Sequence, residues 1–222
     1  MSSAVIQLLV LAGVALFLIL RLRNVLGTRE GFEKPTLPRE AEAGPRRPAR
    51  PDFEVIEGGP DRDITDHVAE GTAAADALAR MKASDPSFNV SEFLDGAKQA
   101  YEMILMAFER GDLRSVRPFL SDDVHEAFAS VVDARADQGL TVEANFVGVR
   151  EVTLTDAAFD PDTRMGEVTV KFVGELTSVV RDANGEIVEG SPSEIKRQRD
   201  VWTFARVMDA EDPNWQLVAT GG

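Results

Sequence analysis

Seventeen consecutive residues near the start of the chain, AVIQLLVLAGVALFLIL at positions 4–20, contain one polar side chain, Gln7, and no charge. So long an apolar run leaves few ways to fold in water. As an α-helix it reaches roughly 25 Å, slightly less than a hydrocarbon core of about 30 Å. Ser2 and Ser3 extend it, and Arg21 and Arg23 can snorkel toward headgroups. The competing reading is a cleaved signal peptide, which needs a positive segment before the apolar run and small residues at a cleavage site. No basic side chain precedes the run, and Arg21-Leu22-Arg23 follows it directly. Residues 1–23 therefore read as a transmembrane anchor into the lipid bilayer. Arg21, Arg23 and Arg29 lie C-terminal to the span and no Lys or Arg lies before it. By the positive-inside rule this is a single-pass protein with its N-terminus out and its remaining residues cytoplasmic.

Charge divides the rest of the chain. Residues 21–52 carry eight basic and five acidic side chains, net +3. Residues 53–222 hold sixteen basic and thirty-three acidic side chains, net −17. An acidic domain thus follows a basic tether that suits anionic headgroups. Nucleic acid is an unsuitable partner for such a domain, because phosphates demand positive charge. The chain has no cysteine, which excludes disulfides, thiol catalysis and cysteine-ligated metals. His67 and His125 are the two histidines, too few for a multi-histidine site. No cofactor is expected.

Pro35, Pro38, Pro45, Pro48, Pro51 and Gly58-Gly59-Pro60 punctuate a stretch of mixed charge without hydrophobic periodicity. Residues 24–63 read as a disordered linker. Ile64, Val68, Gly71, Ala75 and Leu78 recur at helical spacing, so a short helix is expected within 64–83, weakened by Gly71 and Thr72. Its stripe suits partner binding, self-association or packing on the domain. A domain is placed at 84–222. Phe93, Ala97, Tyr101, Ile104 and Phe108, widened by Leu94 and Leu105, predict an amphipathic helix capped by Ser91 and stopped by Gly111. A second helix is expected over Leu113–Phe119, with Asp112 as its cap. A third follows Ser121, with Asp122 and Asp123 at its positive end and Val124, Phe128, Val131 and Val132 inward.

Strand patterns come next: Val142–Val149 with a bend at Gly148, then Val168, Val170, Phe172 and Leu176 in alternation. A tight turn is expected at Asp182–Gly185, and further strands at Val201–Val207 and Trp215–Thr220. Helices followed by strands indicate an α+β fold with an antiparallel sheet. A bent sheet with helices on one face makes a cone whose concave side offers a pocket. Phe93, Tyr101, Phe172, Trp202, Phe204 and Trp215 are the candidate lining residues, with ordinary core packing as the alternative for each.

Catalytic motifs are missing from the chain: there is no phosphate loop, no G-x-S-x-G and no H-E-x-x-H. Asp61, Asp63 and Asp66 start like a calcium loop but lack its glycine and closing glutamate. No metal site is expected. Asp200 beside Trp202 is the best candidate for a pocket carboxylate, on a weak basis.

The segment FNVSEFLDGAKQAYEMILMAFERGDLRSVRPFLSDDVHEAF, with RDANGEIVEG and DVWTFARVMDAEDPNWQLVAT further on, resembles the Tim-forty-four-like domain family. The shared features are F-L-x-G-A-K, A-F-x-x-G-D-L, W-T-F-x-R and D-P-N-W, spread over 88–222. That family includes the C-terminal domain of the adaptor in the mitochondrial inner-membrane import motor, with shorter bacterial relatives. The resemblance implies a nuclear-transport-factor-two-like cone with an apolar pocket, and no enzymatic activity. It implies an adaptor assisting protein translocation or membrane-complex assembly, with a membrane protein, translocase or chaperone as partner. A bacterial-type inner membrane is the implied location, since an N-terminal span before this domain is the layout of the bacterial relatives. A lipid or apolar peptide in the pocket is the alternative function, and an enzyme built on the cone a third. The chaperone-recruiting region of the mitochondrial adaptor is here absent or reduced to residues 30–83. Residues 64–82 are too acidic to make a good lipid-binding helix.

Overall fold

The computed structural model describes residues 60–221. The expected anchor at 4–20, its flanking Arg21 and Arg23, and the linker up to residue 59 lie outside the described residues. Among the described residues no helix is long and apolar enough to cross a membrane.

Four helices come first: α1 (Arg62–Thr65), α2 (Ala73–Ser84), α3 (Val90–Arg110) and α4 (Asp122–Asp137). The one helix expected over 64–83 is two. Gly71 takes a left-handed conformation (φ 75°), and Thr72 leaves the helix to cap α2, accepting from the Ala75 N–H at 3.2 Å. The residues that weakened the pattern are those that break it.

The α3 cap also differs from expectation. Asn89, not Ser91, accepts from an orphan amide, that of Glu92 at 2.8 Å. Ser91 is engaged elsewhere. Its amide and hydroxyl both donate to Asp63, at 3.0 and 2.9 Å, and Val90 N–H adds a third bond at 2.7 Å. Lys82 completes the cluster, 2.9 Å from Asp63 and 2.7 Å from Asp61. One carboxylate from α1 thereby sits on the N-terminus of α3, where the helix dipole favours negative charge. Gly111 ends α3 in the left-handed conformation, as its position predicts, and Asp112 N–H closes onto Ala107 O at 2.9 Å.

The helix expected over Leu113–Phe119 is reduced to one 3₁₀ turn, Arg117–Phe119. Pro118 supplies no amide and biases the residue before it away from helical geometry. Helix α4 starts after Ser121 as expected, and Ser121 caps it, accepting from the Val124 N–H. Val124 is buried and Phe128 stacks 4.7 Å from Phe108, whereas Val131 is 43% exposed.

The sheet is four antiparallel strands in the order β1-β2-β3-β4: Thr141–Asp160, Met165–Arg181, Ile187–Val207 and Gln216–Gly221. Three single-residue bulges interrupt β1, at Phe146/Gly148, Val149/Glu151 and Leu154/Asp156. Each bends the strand and tightens its twist. The Asp182–Gly185 turn forms as expected, with Gly185 at φ 83° and the Asp182 carboxylate accepting from Asn184 and Glu186 amides at 2.9 Å. Strand β3 begins well before the expected Val201. Its first half pairs with β2 alone, and Pro192–Ile195 loop out opposite Thr177.

The helices pack on the inner face of this sheet. Leu154, Val168, Val170, Phe172, Trp202, Phe204 and Leu217 meet Leu94, Tyr101, Ile104 and Leu105 of α3. Ile64, Leu78 and Met81 belong to the same core, so the packed body extends upstream of residue 84 to α1. Two close fits set the geometry. A methyl group on Gly174 would lie 2.7 Å from the Tyr101 hydroxyl oxygen and 3.0 Å from its ring. At the other end, Asp85 caps α2 and is 5% exposed. It accepts from Ser87 N–H (3.0 Å), Ser87 hydroxyl (2.6 Å) and Asp209 N–H (3.3 Å), and forms an ion pair with buried Arg206 of β3.

Gly174→Ala should therefore cost about 1–3 kcal/mol, by forcing the stacked Tyr101 ring aside. Urea unfolding followed by tryptophan fluorescence measures it, since Trp202 and Trp215, the two tryptophans, both lie in this body. A stability within experimental error of wild type would show that Tyr101 moves freely.

Acid supplies a second expectation. Burial alone would raise the Asp85 carboxyl; bonds from Ser87 and Asp209 and the Arg206 charge outweigh it and hold it below the ordinary 3.8. At Asp63 burial likewise opposes, and Lys82, Val90 and Ser91 prevail. A depressed folded-state value makes the folded form the weaker proton binder. The stabilisation is thus complete above 3.8 and drains away as pH falls through the folded-state values. The urea midpoint should drop progressively as pH falls below about 4, and Asp85→Asn should flatten that slope while lowering stability at neutral pH by about 3 kcal/mol. An unchanged slope in the variant would exclude Asp85 as a source.

Candidate binding site

Helix α3, strands β2 and β3 and Trp215 just before β4 bring the six candidate aromatics into one cluster. Tyr101 stacks on Phe172 with ring centres 4.5 Å apart and planes 11° from parallel. Trp202 lies 4.8 Å from Tyr101, and Phe204 lies 6.2 Å from Trp202. Phe93 meets Phe204 edge-on at 6.0 Å and Trp215 at 4.7 Å. These are the offset and edge-to-face distances at which aromatic pairs attract.

The cluster divides into two halves. Tyr101, Phe172 and Trp202 pack together between α3 and the sheet and are buried. The Tyr101 hydroxyl donates to Asp200 Oδ2 at 2.6 Å, and Gln198 Nε2 donates to Oδ1 at 3.1 Å. Burial first, and then Asp200, push the Tyr101 phenol well above its ordinary value, so it keeps its proton. Asp200, the carboxylate proposed for acid–base work, has both oxygens engaged by its own chain. This arrangement positions a ring; it leaves little for a substrate.

Phe93, Phe204 and Trp215 instead border a cleft of about 210 Å³, floored by Gly96, Ala97 and Ala100 of α3 and closed by Phe119, Pro213 and Asn214. Small side chains at 96, 97 and 100 keep this stretch of α3 low. That run of small residues is a sequence signal for the cleft floor; Phe119 and the 213–214 loop carry none. Arg206 shapes the wall: its guanidinium lies 5.4 Å over the Trp215 ring, and Nη1 donates to Pro213 O at 3.4 Å. Asp212 holds Asn214 through its amide (2.9 Å) and side chain (2.8 Å). The ion pair with Asp85 thus fixes the loop that borders the cleft.

Larger concavities lie elsewhere. One of about 460 Å³ runs between Arg110, Val142–Asn145 and Pro192, and one of about 400 Å³ between Phe108, Arg135 and Leu140. Both are open and mixed in polarity, so the selective apolar surface is the smaller cleft. Among the described residues no group of three or more His, Cys, Asp or Glu could hold a metal ion. Asp61 and Asp63, which began like a calcium loop, are paired with Lys82.

Comparison with known proteins follows the same body. The TIM44-1 subunit of the mitochondrial import inner membrane translocase of Arabidopsis thaliana is 24% identical over 162 residues, 70% of this chain and 34% of that protein. The human TIM44 subunit is 25% identical over 168 residues, 71% of this chain and 36% of that protein. The chain's match therefore spans about a third of the length of these relatives. Among solved structures, the intermembrane space region of the chloroplast protein ARC6 aligns with a TM-score of 0.38 at 10% identity, covering 59% of this chain and 92% of that one, a likeness too low to bear on fold or function. The family described as Tim44-like domain matches residues 74–222, from the start of α2 through β4, and the chain belongs to that family.

Proposed function

We infer that this protein is a membrane-attached, non-enzymatic adaptor that assists protein translocation or the assembly of membrane-protein complexes. The observation that carries the reading is a Tim44-like domain at 74–222 behind the apolar run 4–20 and its Arg21–Arg23 flank. The relatives bearing this domain are named as subunits of an inner-membrane translocase. Here the apolar run supplies attachment within the chain itself, as a single span over 1–23 in a bacterial-type inner membrane. The linker, from residue 24 to about 60, then lets an acidic domain reach its partner on the cytoplasmic side. The fold is read as a cone of the nuclear-transport-factor-two type, with its interior occupied by its own aromatic side chains. Asp200, held by Tyr101 and Gln198, supports a structural rather than catalytic use of that interior.

A second reading has one observation in its favour. The 210 Å³ cleft beside Trp215 is apolar enough to take a lipid tail or an apolar peptide side chain. Native mass spectrometry of protein released from membranes distinguishes it, since that reading requires a retained mass.

The adaptor reading is tested by photo-crosslinking from domain positions in intact membranes. Recovery of a translocase, chaperone or membrane-complex subunit is expected, and recovery of none above a no-crosslinker control overturns the reading. Protease added to spheroplasts should leave the domain intact and digest it after lysis. Digestion before lysis would reverse the assigned topology.

A further inference from the structure

The C-terminal ends of α3 and α4 and the start of β1 enclose a recess of about 400 Å³, walled by Phe108, Glu109, Val132, Arg135, Leu140 and Val142. The two helix ends are fixed against each other: a methyl group on Gly111 would lie 3.2 Å from the Val132 side chain. The Arg135 guanidinium lies 4.6 Å over the Phe108 ring, and Phe108 in turn rests 4.7 Å from Phe128. Arg135 Nη1 is buried and has no hydrogen-bond partner among the described residues. A buried N–H left unpaired is costly, more so on a charged group, and such an orphan calls for a partner. The other buried orphan nitrogen among the described residues, Arg206 Nε, belongs to a guanidinium already paired with Asp85; Arg135 has no such compensation. Glu109 lies near enough to sense the Arg135 and Lys196 charges, yet burial holds its carboxyl above the ordinary value against both.

A second recess of about 460 Å³ continues from the first, sharing Arg110 and Val142 and adding Ala144, Asn145, Thr177 and Pro192. Arg110 and Lys196 are exposed, and like Arg135 they form no ion pair among the described residues. Glu143, which borders the second recess, is taken by Arg181 at 3.1 Å. Three uncommitted cations thus surround one trough in a domain whose residues 53–222 carry net −17. An anionic oxygen would satisfy Arg135, whose planar fork matches a carboxylate. The surrounding acids limit that ligand to a single charge. Glu109, Glu189 and Glu143 stand nearby, and each further negative charge meets them and the field of the whole domain. A phosphate dianion or a run of acids is disfavoured on that count. The apolar walls suit uncharged side chains beside the carboxylate, and Thr141, Asn145 and Thr177 offer hydrogen-bonding groups to a peptide backbone.

We propose that the trough between the ends of α3 and α4 binds an extended peptide segment of a partner protein through one carboxylate seated on Arg135, with uncharged residues on either side. This deepens the adaptor reading, on which its use rests, by naming the chemistry of a segment the adaptor would hold.

The probe is an acetylated, amidated peptide of about eight residues, roughly 26 Å when extended, built from leucine, threonine and alanine around one central glutamate and carrying a neutral dye. Its counterpart has glutamine at that position. Binding is measured by fluorescence anisotropy against the full chain in phosphatidylcholine nanodiscs, with empty nanodiscs subtracted. The glutamate peptide should bind at least about tenfold more tightly than the glutamine peptide, by a margin that shrinks as salt rises. Arg135→Met keeps the stem over Phe108 and removes the charge. It should abolish the preference while leaving the urea midpoint at or above wild type, because it removes a buried donor that has no partner. An arginine with a merely structural role would lower the midpoint instead. Arg135→Lys should keep part of the preference. Arg62→Gln, an equal change of charge on α1 at the opposite end of α3, should bind as wild type. Equal binding of the two peptides, binding of neither, or a preference that survives Arg135→Met overturns the proposal. So does displacement of the glutamate peptide by inorganic phosphate or short-chain phosphatidylglycerol more effectively than by acetate, since either gives the recess to a phosphate. Any of those results alongside a successful crosslink to a translocase would leave the adaptor reading standing and place its contact on another surface.

Discussion

The ion pair between Asp85 and Arg206 ties the α2–α3 corner to the end of β3 and the cleft wall. Removing two charges from water is costly, and the pair persists because the carboxylate also accepts three bonds from Ser87 and Asp209. Its partners are 121 residues apart in the chain. Asp85 ends α2, so the pair holds the α2–α3 corner against the end of β3. Arg206 then lies over Trp215 and reaches the Pro213 carbonyl. Corner, strand end and cleft wall therefore move together or not at all. The dependence on protonation follows, since neutral Asp85 would leave Arg206 buried without a counter-charge.

The second constraint is steric. Tyr101 needs room over β2, and Gly174 is the position that yields it. The ring's hydroxyl is then held by Asp200 on the next strand, so a single side chain spans helix α3, strand β2 and strand β3. The bulges in β1 belong to the same problem, because a strand of twenty residues must bend to follow the helices packed on it. Tyr101, Phe172 and Trp202 fill the space between α3 and the sheet, and the apolar cleft lies beside them at Trp215.

Features written in adjacent residues were legible in the sequence. Gly111 as a helix stop, the start of α4 after Ser121 and Asp182–Gly185 as a turn depend on contacts a few residues apart. Features that depend on distant partners were not. Ser91 has the chemistry of a cap, but Asp63 claims its hydroxyl from 28 residues away, and Asn89 takes the role. The first half of β3, IVEGSPSEIKRQRD, shows no alternation because much of it is exposed and Pro192–Ile195 leave the ladder. At the site the large aromatics announced themselves, whereas Gly96, Ala97 and Ala100 look like ordinary helix filler until Phe119 and Trp215 are placed beside them.

That contrast bears on the proposed adaptor role. A surface that must hold a partner and release it cannot also be the hydrophobic core. The core here is closed by interactions that are individually strong and mutually dependent: a stacked phenol with an engaged hydroxyl and a buried ion pair. The cleft beside Trp215 has the opposite character: Gly96 leaves space on its floor, and Pro213 and Asn214 border it. The Asp85–Arg206 pair thus keeps Trp215 and the cleft wall in place without filling the cleft.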